Sequence, residues 1–101
     1  MSDTIQKLIE TIKSRKNKDI NKSYTSALLN GGLKKCIDKM EEEFIELKDA
    51  LKDNNNVIYE SADLIYHVLV TLESAGIDYN DVLKELEKRK NKSGFEEKKS
   101  R

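Results

Sequence analysis

The sequence predicts an all-α protein, a small helical bundle with two long antiparallel helices at its centre. Three observations carry that prediction. Proline is absent while Lys, Glu, Leu and Ile are abundant, a composition rich in helix formers. Apolar residues recur at steps of three and four through most of the chain. Ser, Asp and Gly stand where those periodic stretches begin and end. At 101 residues the chain has the size of one domain with a core of modest volume.

Taken in order, Ile5, Leu8, Ile9 and Ile12 mark one face of a first helix over residues 3 to about 16, with Asp3 or Thr4 as N-cap. Ser14 to Lys22 is polar and basic without apolar periodicity, and reads as a solvated loop. Ser23 or Thr25 can cap a short helix that Gly31 and Gly32 end. The paired glycines are read as a helix stop, with close backbone approach of a ligand as the sharper alternative. Leu33, Cys36, Ile37, Met40, Phe44, Leu47 and Leu51 then define a first long helix ending near Asp53. The polar run Asp53-Asn54-Asn55-Asn56 is short enough to turn the next helix back against it.

The second long helix starts at Val57 and stops at Gly76, where a left-handed C′ residue fits. Asp78 is placed as the N-cap of a last helix, with Asp81 completing a capping box, and Val82, Leu83 and Leu86 are placed on its core side. Residues 91–101 lack periodicity and are expected to form a flexible tail. The organisation expected is one domain over 1–101: an N-terminal helix and basic loop (1–22), a core (23–90) and the tail.

Bulk properties exclude several functions. The 19 basic and 19 acidic residues cancel, so net charge favours neither nucleic acid nor membrane surfaces as partners. No stretch is apolar for long enough to span a bilayer and the N-terminus has no signal-peptide pattern, so the protein is expected in the cytoplasm. Cys36 is the only cysteine; it falls on an apolar face and is read as a packing residue.

The chemistry is concentrated in an acidic constellation. In VIYESADLIYHVLVTL, from Val57 to Leu72, Glu60 and Asp63 are the only acidic residues. A helix this apolar is expected to be largely buried, where two carboxylates one turn apart repel each other and lose hydration. Glu43 and Glu46 of the preceding E-E-x-x-E can face them across the helix pair. Four carboxylates suit a hard ion held by oxygen, Mg²⁺ first and Mn²⁺ second. Such an ion with open positions ordinarily meets phosphate and water. A carboxylate-bridged di-iron site would want Glu-x-x-His pairs, which are absent. His67 is read either as a group supporting a ligating carboxylate or as a packing residue. Lys34, Lys35 and Lys39, one to three turns before the cluster, can meet phosphates, with surface solvation as the competing reading.

Beyond this local chemistry, SYTSALLNGGLKKCIDKMEEEFIE, ESADLIYHVLV and the closing SGFEEKKSR resemble the phosphoribosyl-ATP pyrophosphatase family of histidine biosynthesis, within the wider all-α nucleoside-triphosphate pyrophosphatase group. The resemblance runs from Ser23 to Arg101. It implies Mg²⁺-dependent hydrolysis of phosphoribosyl-ATP to phosphoribosyl-AMP and pyrophosphate by a cytoplasmic homodimer. Carried over by motif, Glu43, Glu46, Glu60 and Asp63 would ligate metal, Glu42 and Glu43 would act in catalysis, and Lys39, with Lys35, would face phosphate. Ser23, Tyr24 and Thr25 would lie near the substrate, and Ser93, Lys98 or Arg101 would help close the site. The chain departs from the family pattern at Glu41, where Gly is common, and at Phe44, where a small residue is usual. Some relatives carry a fused cyclohydrolase; 101 residues are expected to leave that step to another protein.

Two alternatives stand beside this reading. One is a housekeeping pyrophosphatase for ordinary or damaged nucleoside triphosphates, sharing the metal residues. The other is a non-catalytic helical module whose apolar helices form a dimer seam. Dimerisation is expected on either account, because Ile58, Ile65, Leu69 and Leu72 widen the apolar arc of the second long helix beyond one neighbour.

Overall fold

The computed structural model describes residues 2–16 and 18–90. Five helices follow one another: α1 (Ser2–Ser14), α2 (Tyr24–Asn30), α3 (Leu33–Asp53), α4 (Val57–Ser74) and α5 (Tyr79–Arg89), with no strand among the described residues. The all-α expectation is met. The tail, with Ser93, Lys98 and Arg101, lies outside the described residues.

α1 already includes Asp3 and Thr4, so its N-terminus lies ahead of both proposed caps. Ile9 and Ile12 are buried, and Ile5 and Leu8 pack at the edge of the same cluster. α2 is capped as expected at Ser23, whose extended backbone (φ −146°, ψ 122°) lets its hydroxyl accept the Ser26 N–H at 3.2 Å. Ser26 is fully buried. Its hydroxyl donates to the Arg15 carbonyl at 2.5 Å, fastening α2 to the end of α1. Gly31 ends α2 in ordinary right-handed geometry, and Gly32 takes φ +92° before α3, a conformation that L side chains avoid. The helix-stop reading of the glycine pair therefore holds.

The core is formed by Ile9, Ile12, Leu28, Cys36, Leu69 and Val70, each large side chain contributing about 1.5–3 kcal/mol through burial. Cys36 packs here, its thiol donating to the Leu28 carbonyl at 3.3 Å. The Thr71 hydroxyl lies 2.7 Å from the His67 carbonyl and 3.2 Å from the Cys36 carbonyl, bridging α3 and α4.

Asn54 (φ 50°) and Asn56 (φ 62°) take left-handed backbone between α3 and α4, which Asn tolerates better than most residues. Asn55 N–H returns to the Ala50 carbonyl at 3.0 Å, and α4 runs back antiparallel to α3. α4 ends in a Schellman motif: Gly76 N–H bonds Glu73 O at 3.1 Å and Ile77 N–H bonds Leu72 O at 2.9 Å, with Gly76 at φ +76°. Asp78 caps α5 through the Asn80 N–H at 2.9 Å, one residue before the Asp81 partner that a capping box would use. Gln6 donates to Asn80 Oδ1 at 2.7 Å, joining α5 to α1.

Three packing expectations are corrected. The first half of α4 is not buried: Ile58 is 87% and Tyr59 62% exposed, while His67, Leu69, Val70 and Thr71 are enclosed. The reason is coverage, since α1 and α2 supply Ile9, Ile12 and Leu28 against the second half only. Leu69 belongs to that core and not to an outer seam. On α5, Val82 and Leu83 are half-buried but Leu86 is exposed, because α5 touches the bundle mainly near its N-terminus through Tyr79 and Asn80.

Candidate metal centre

Glu43 and Glu46 lie three residues apart on α3, and Glu60 and Asp63 three apart on α4, so each pair presents carboxylates on neighbouring turns of one face. The antiparallel register sets Glu43 toward Asp63 and Glu46 toward Glu60. One carboxylate oxygen from each of the four lies within 4.8 Å of the others. Glu43, Glu60 and Asp63 are half-buried and Glu46 is exposed, a wetter site than full burial of α4 would have made.

Two of these oxygens, Glu43 Oε2 and Glu60 Oε2, are shut off from solvent without a hydrogen-bond partner. Leaving buried acceptors unmatched is unfavourable. Crowding shows in the protonation: burial, then Glu46 and Asp63, push the Glu43 carboxyl up to about 7. Burial and the same two neighbours also raise Glu60. All-oxygen donors, mutual proximity and orphaned oxygens together fit a hard divalent cation.

His67 flanks the cluster. It is buried, and one of its ring nitrogens lies within 4.8 Å of carboxylate oxygens of Glu43 and Asp63. Nδ1 sits 2.8 Å from the Asp63 backbone carbonyl, which can only accept, so Nδ1 carries hydrogen and donates. In the neutral ring, Nε2 then accepts from the Tyr24 hydroxyl at 3.1 Å. His67 thus supports Asp63 through its main chain; the expected bond to a ligating carboxylate is not the one it makes.

Tyr24 opens α2 and places its phenol beside this histidine. Its ring stacks on Tyr66 (centroids 6.3 Å apart, 23° between planes), and Tyr66 meets His67 edge-on at 5.0 Å. Thr25 hydrogen-bonds the Tyr66 hydroxyl. Burial raises the Tyr24 phenol, with Lys39 opposing and Tyr66, Glu43 and Asp63 reinforcing the rise. Tyr24 and Thr25 are therefore brought to the acidic centre. Tyr66, adjacent to His67 in the apolar run, was not singled out by its spacing.

Glu42 lies elsewhere. It is exposed and pairs with Lys39 at 3.2 Å, raising the Lys39 pKa, and it is not among the four grouped carboxylates. Lys34 pairs with Asp38 at 3.1 Å, and the Lys35 side chain lies across Gly31. These lysines, with Gly31, Asp38, Glu41 and Glu42, line one open depression. Phe44 is exposed, as is Glu41.

A family model described as phosphoribosyl-ATP pyrophosphohydrolase matches residues 5–90. The chain belongs to the phosphoribosyl-ATP pyrophosphohydrolase family. The match spans all five helices apart from the first residues of α1. A phosphoribosyl-ATP pyrophosphatase of Dechloromonas aromatica is 43% identical over 101 residues, covering 98% of this chain and 94% of that protein. The protein of that name from Roseobacter denitrificans is 43% identical over 100 residues (97% and 95%), and that from Paracoccus denitrificans 42% over 99 residues (96% and 92%). The resemblance read from the sequence holds, and with it the enzyme class, a hydrolase. The non-catalytic module loses its support.

Proposed function

We propose that the chain hydrolyses phosphoribosyl-ATP to phosphoribosyl-AMP and pyrophosphate with a divalent cation, Mg²⁺ by preference, held between α3 and α4. The observation carrying this is the group of four carboxylates with two orphaned oxygens, in a chain of this family. Glu43, Glu46, Glu60 and Asp63 would hold the ion. Bound there, it would supply charge neutralisation at anhydride oxygens and activation of water.

The chain's own residues divide the remaining work. Glu43, which belongs to the carboxylate group and also lies within 4.8 Å of His67, is the carboxylate that would accept a proton from the attacking water. Lys39 and Lys35 line an open depression and offer charge for the phosphates. Glu42 pairs with Lys39 at 3.2 Å and would take its part in catalysis by holding that lysine toward the phosphates. Thr25 holds Tyr66, and Tyr24 bonds His67, so the substrate is bordered by an ordered aromatic group.

The chain is read as a cytoplasmic homodimer; among the described residues no helix is long and apolar enough to cross a membrane. Ile37, Phe44, Ile45 and Leu51 on α3 and Ile58 and Ile65 on α4 are exposed, an apolar surface that a second copy would cover. The deciding experiment is pyrophosphate release from phosphoribosyl-ATP, with ATP and dUTP in parallel and with and without Mg²⁺. Metal-dependent preference for phosphoribosyl-ATP is expected. Equal or better turnover of the plain triphosphates would transfer the chain to the housekeeping reading.

A further inference from the structure

We propose that the open face of the Tyr24 ring is the shelf on which the substrate purine stacks, and that it favours purines made cationic by substitution at N1. The proposal rests on the phosphoribosyl-ATP reading of the site and adds how the base is told from that of ATP.

The shelf is built, not incidental. Tyr24 is 55% exposed, yet it is held from several sides. Tyr66 backs one face of its ring, and His67 fixes its hydroxyl while meeting the ring edge-on, centroids 5.9 Å apart. Tyr66 is itself fixed by Thr25. A surface tyrosine without a role has no need of such support; this one is held by Tyr66 and His67 and still leaves more than half of its surface open. A ligand meeting that face finds it already ordered.

Its position suits a nucleotide base. His67 reaches both the carboxylate group, within 4.8 Å, and the Tyr24 hydroxyl, at 3.1 Å. The aromatic ring therefore begins one hydrogen bond beyond the residues that border the anhydride. A nucleotide with its phosphates at the carboxylates carries its base at the far side of the ribose, and Tyr24 is an exposed aromatic ring bonded to the histidine that borders those carboxylates.

The chemistry then supplies selectivity. In phosphoribosyl-ATP the purine is alkylated at N1, which makes it a stronger base than adenine and leaves a delocalised positive charge on the protonated ring. Any base can stack on an aromatic face. A cation over that face gains the additional attraction of the ring quadrupole. ATP obtains only the first of these, so Tyr24 can read the charge that N1 substitution creates without touching the added sugar phosphate.

The test uses 1-methyl-ATP, which has the N1 charge and lacks the second sugar phosphate. Steady-state kinetics would compare it with ATP and phosphoribosyl-ATP in wild type, Tyr24→Phe and Tyr24→Leu. Wild type is expected to prefer 1-methyl-ATP to ATP by about fivefold, carried in KM. Tyr24→Phe, whatever its turnover, keeps that ratio because the ring remains. Tyr24→Leu loses the ratio and raises KM for phosphoribosyl-ATP about tenfold, with circular dichroism and Mg²⁺-linked thermal stabilisation retained. Wild type treating 1-methyl-ATP and ATP alike would overturn the shelf whichever variants fold. So would a preference that survives in Tyr24→Leu or disappears in Tyr24→Phe. Wild type inactive on phosphoribosyl-ATP would instead remove the underlying functional reading.

Discussion

Raising the pH of the metal-free protein from 5 to 8 should weaken it, and replacing Glu43 by Gln should remove much of that loss. The Glu43 carboxyl is held at about 7 against an ordinary value of 4.5. A carboxyl raised on folding binds more protons folded than unfolded between those values. Its contribution is therefore most favourable at low pH and is lost as pH rises through about 7. The full difference would be about 3 kcal/mol; with Glu43 only half-buried, solvent screening reduces this to on the order of 1–2 kcal/mol. For a chain of this length that is a fall of about 5–10 °C in Tm. Urea or thermal unfolding in the presence of a chelator, at pH 5, 6, 7 and 8, would measure it. Subtracting the Glu43→Gln curve cancels groups that titrate equally in both proteins. At pH 8 without metal the variant should be the more stable, and Mg²⁺ should reverse the order by stabilising wild type alone. A wild-type minus variant difference that is flat with pH, or a variant weaker than wild type at pH 8 without metal, would show that Glu43 is not held protonated by its neighbours.

Other outcomes follow from the same structure. Ser23→Ala removes the α2 cap and should cost about 1 kcal/mol in urea unfolding, with a rise in KM because Tyr24 and Thr25 lie in the first turn it orders. Ile65→Asp places a charge in the exposed apolar surface of α4 and should halve the mass seen by light scattering at micromolar concentration; a wild type that is already monomeric would dismiss the dimer. Leu28→Ala opens the core where α2 meets α3 and α4, and should cost about 2–5 kcal/mol, read by the same unfolding assay.

Much of this was legible in the chain itself. Helix boundaries were readable where local chemistry sets them: Gly76 in the Schellman motif, Ser23 and Asp78 as caps, and the Asn54 to Asn56 turn. The turn in its place then fixes the register that makes Glu43, Glu46, Glu60 and Asp63 neighbours. What escaped was set by tertiary packing. Glu42 differs from Glu43 by one residue, but a helix rotates about 100° in that step, which carries Glu42 to the Lys39 side. The exposure of Leu86 depends on α5 meeting the bundle mainly through Tyr79 and Asn80, which periodicity does not encode. The Tyr24, Tyr66 and His67 grouping depends on how α2 sits over α4, and the buried Ser26 hydroxyl on Arg15 is a contact between segments that share no sequence pattern.

Whether the α3 and α4 carboxylates hold the ion required for hydrolysis can be measured by titrating Mn²⁺ into wild type, Asp63→Asn and Glu60→Gln, with bound ion followed by electron paramagnetic resonance. Wild type should show saturable binding that Mg²⁺ competes away. Each variant should bind at least about tenfold more weakly, with pyrophosphate release falling in parallel. Undiminished binding in both variants would place the ion away from these carboxylates.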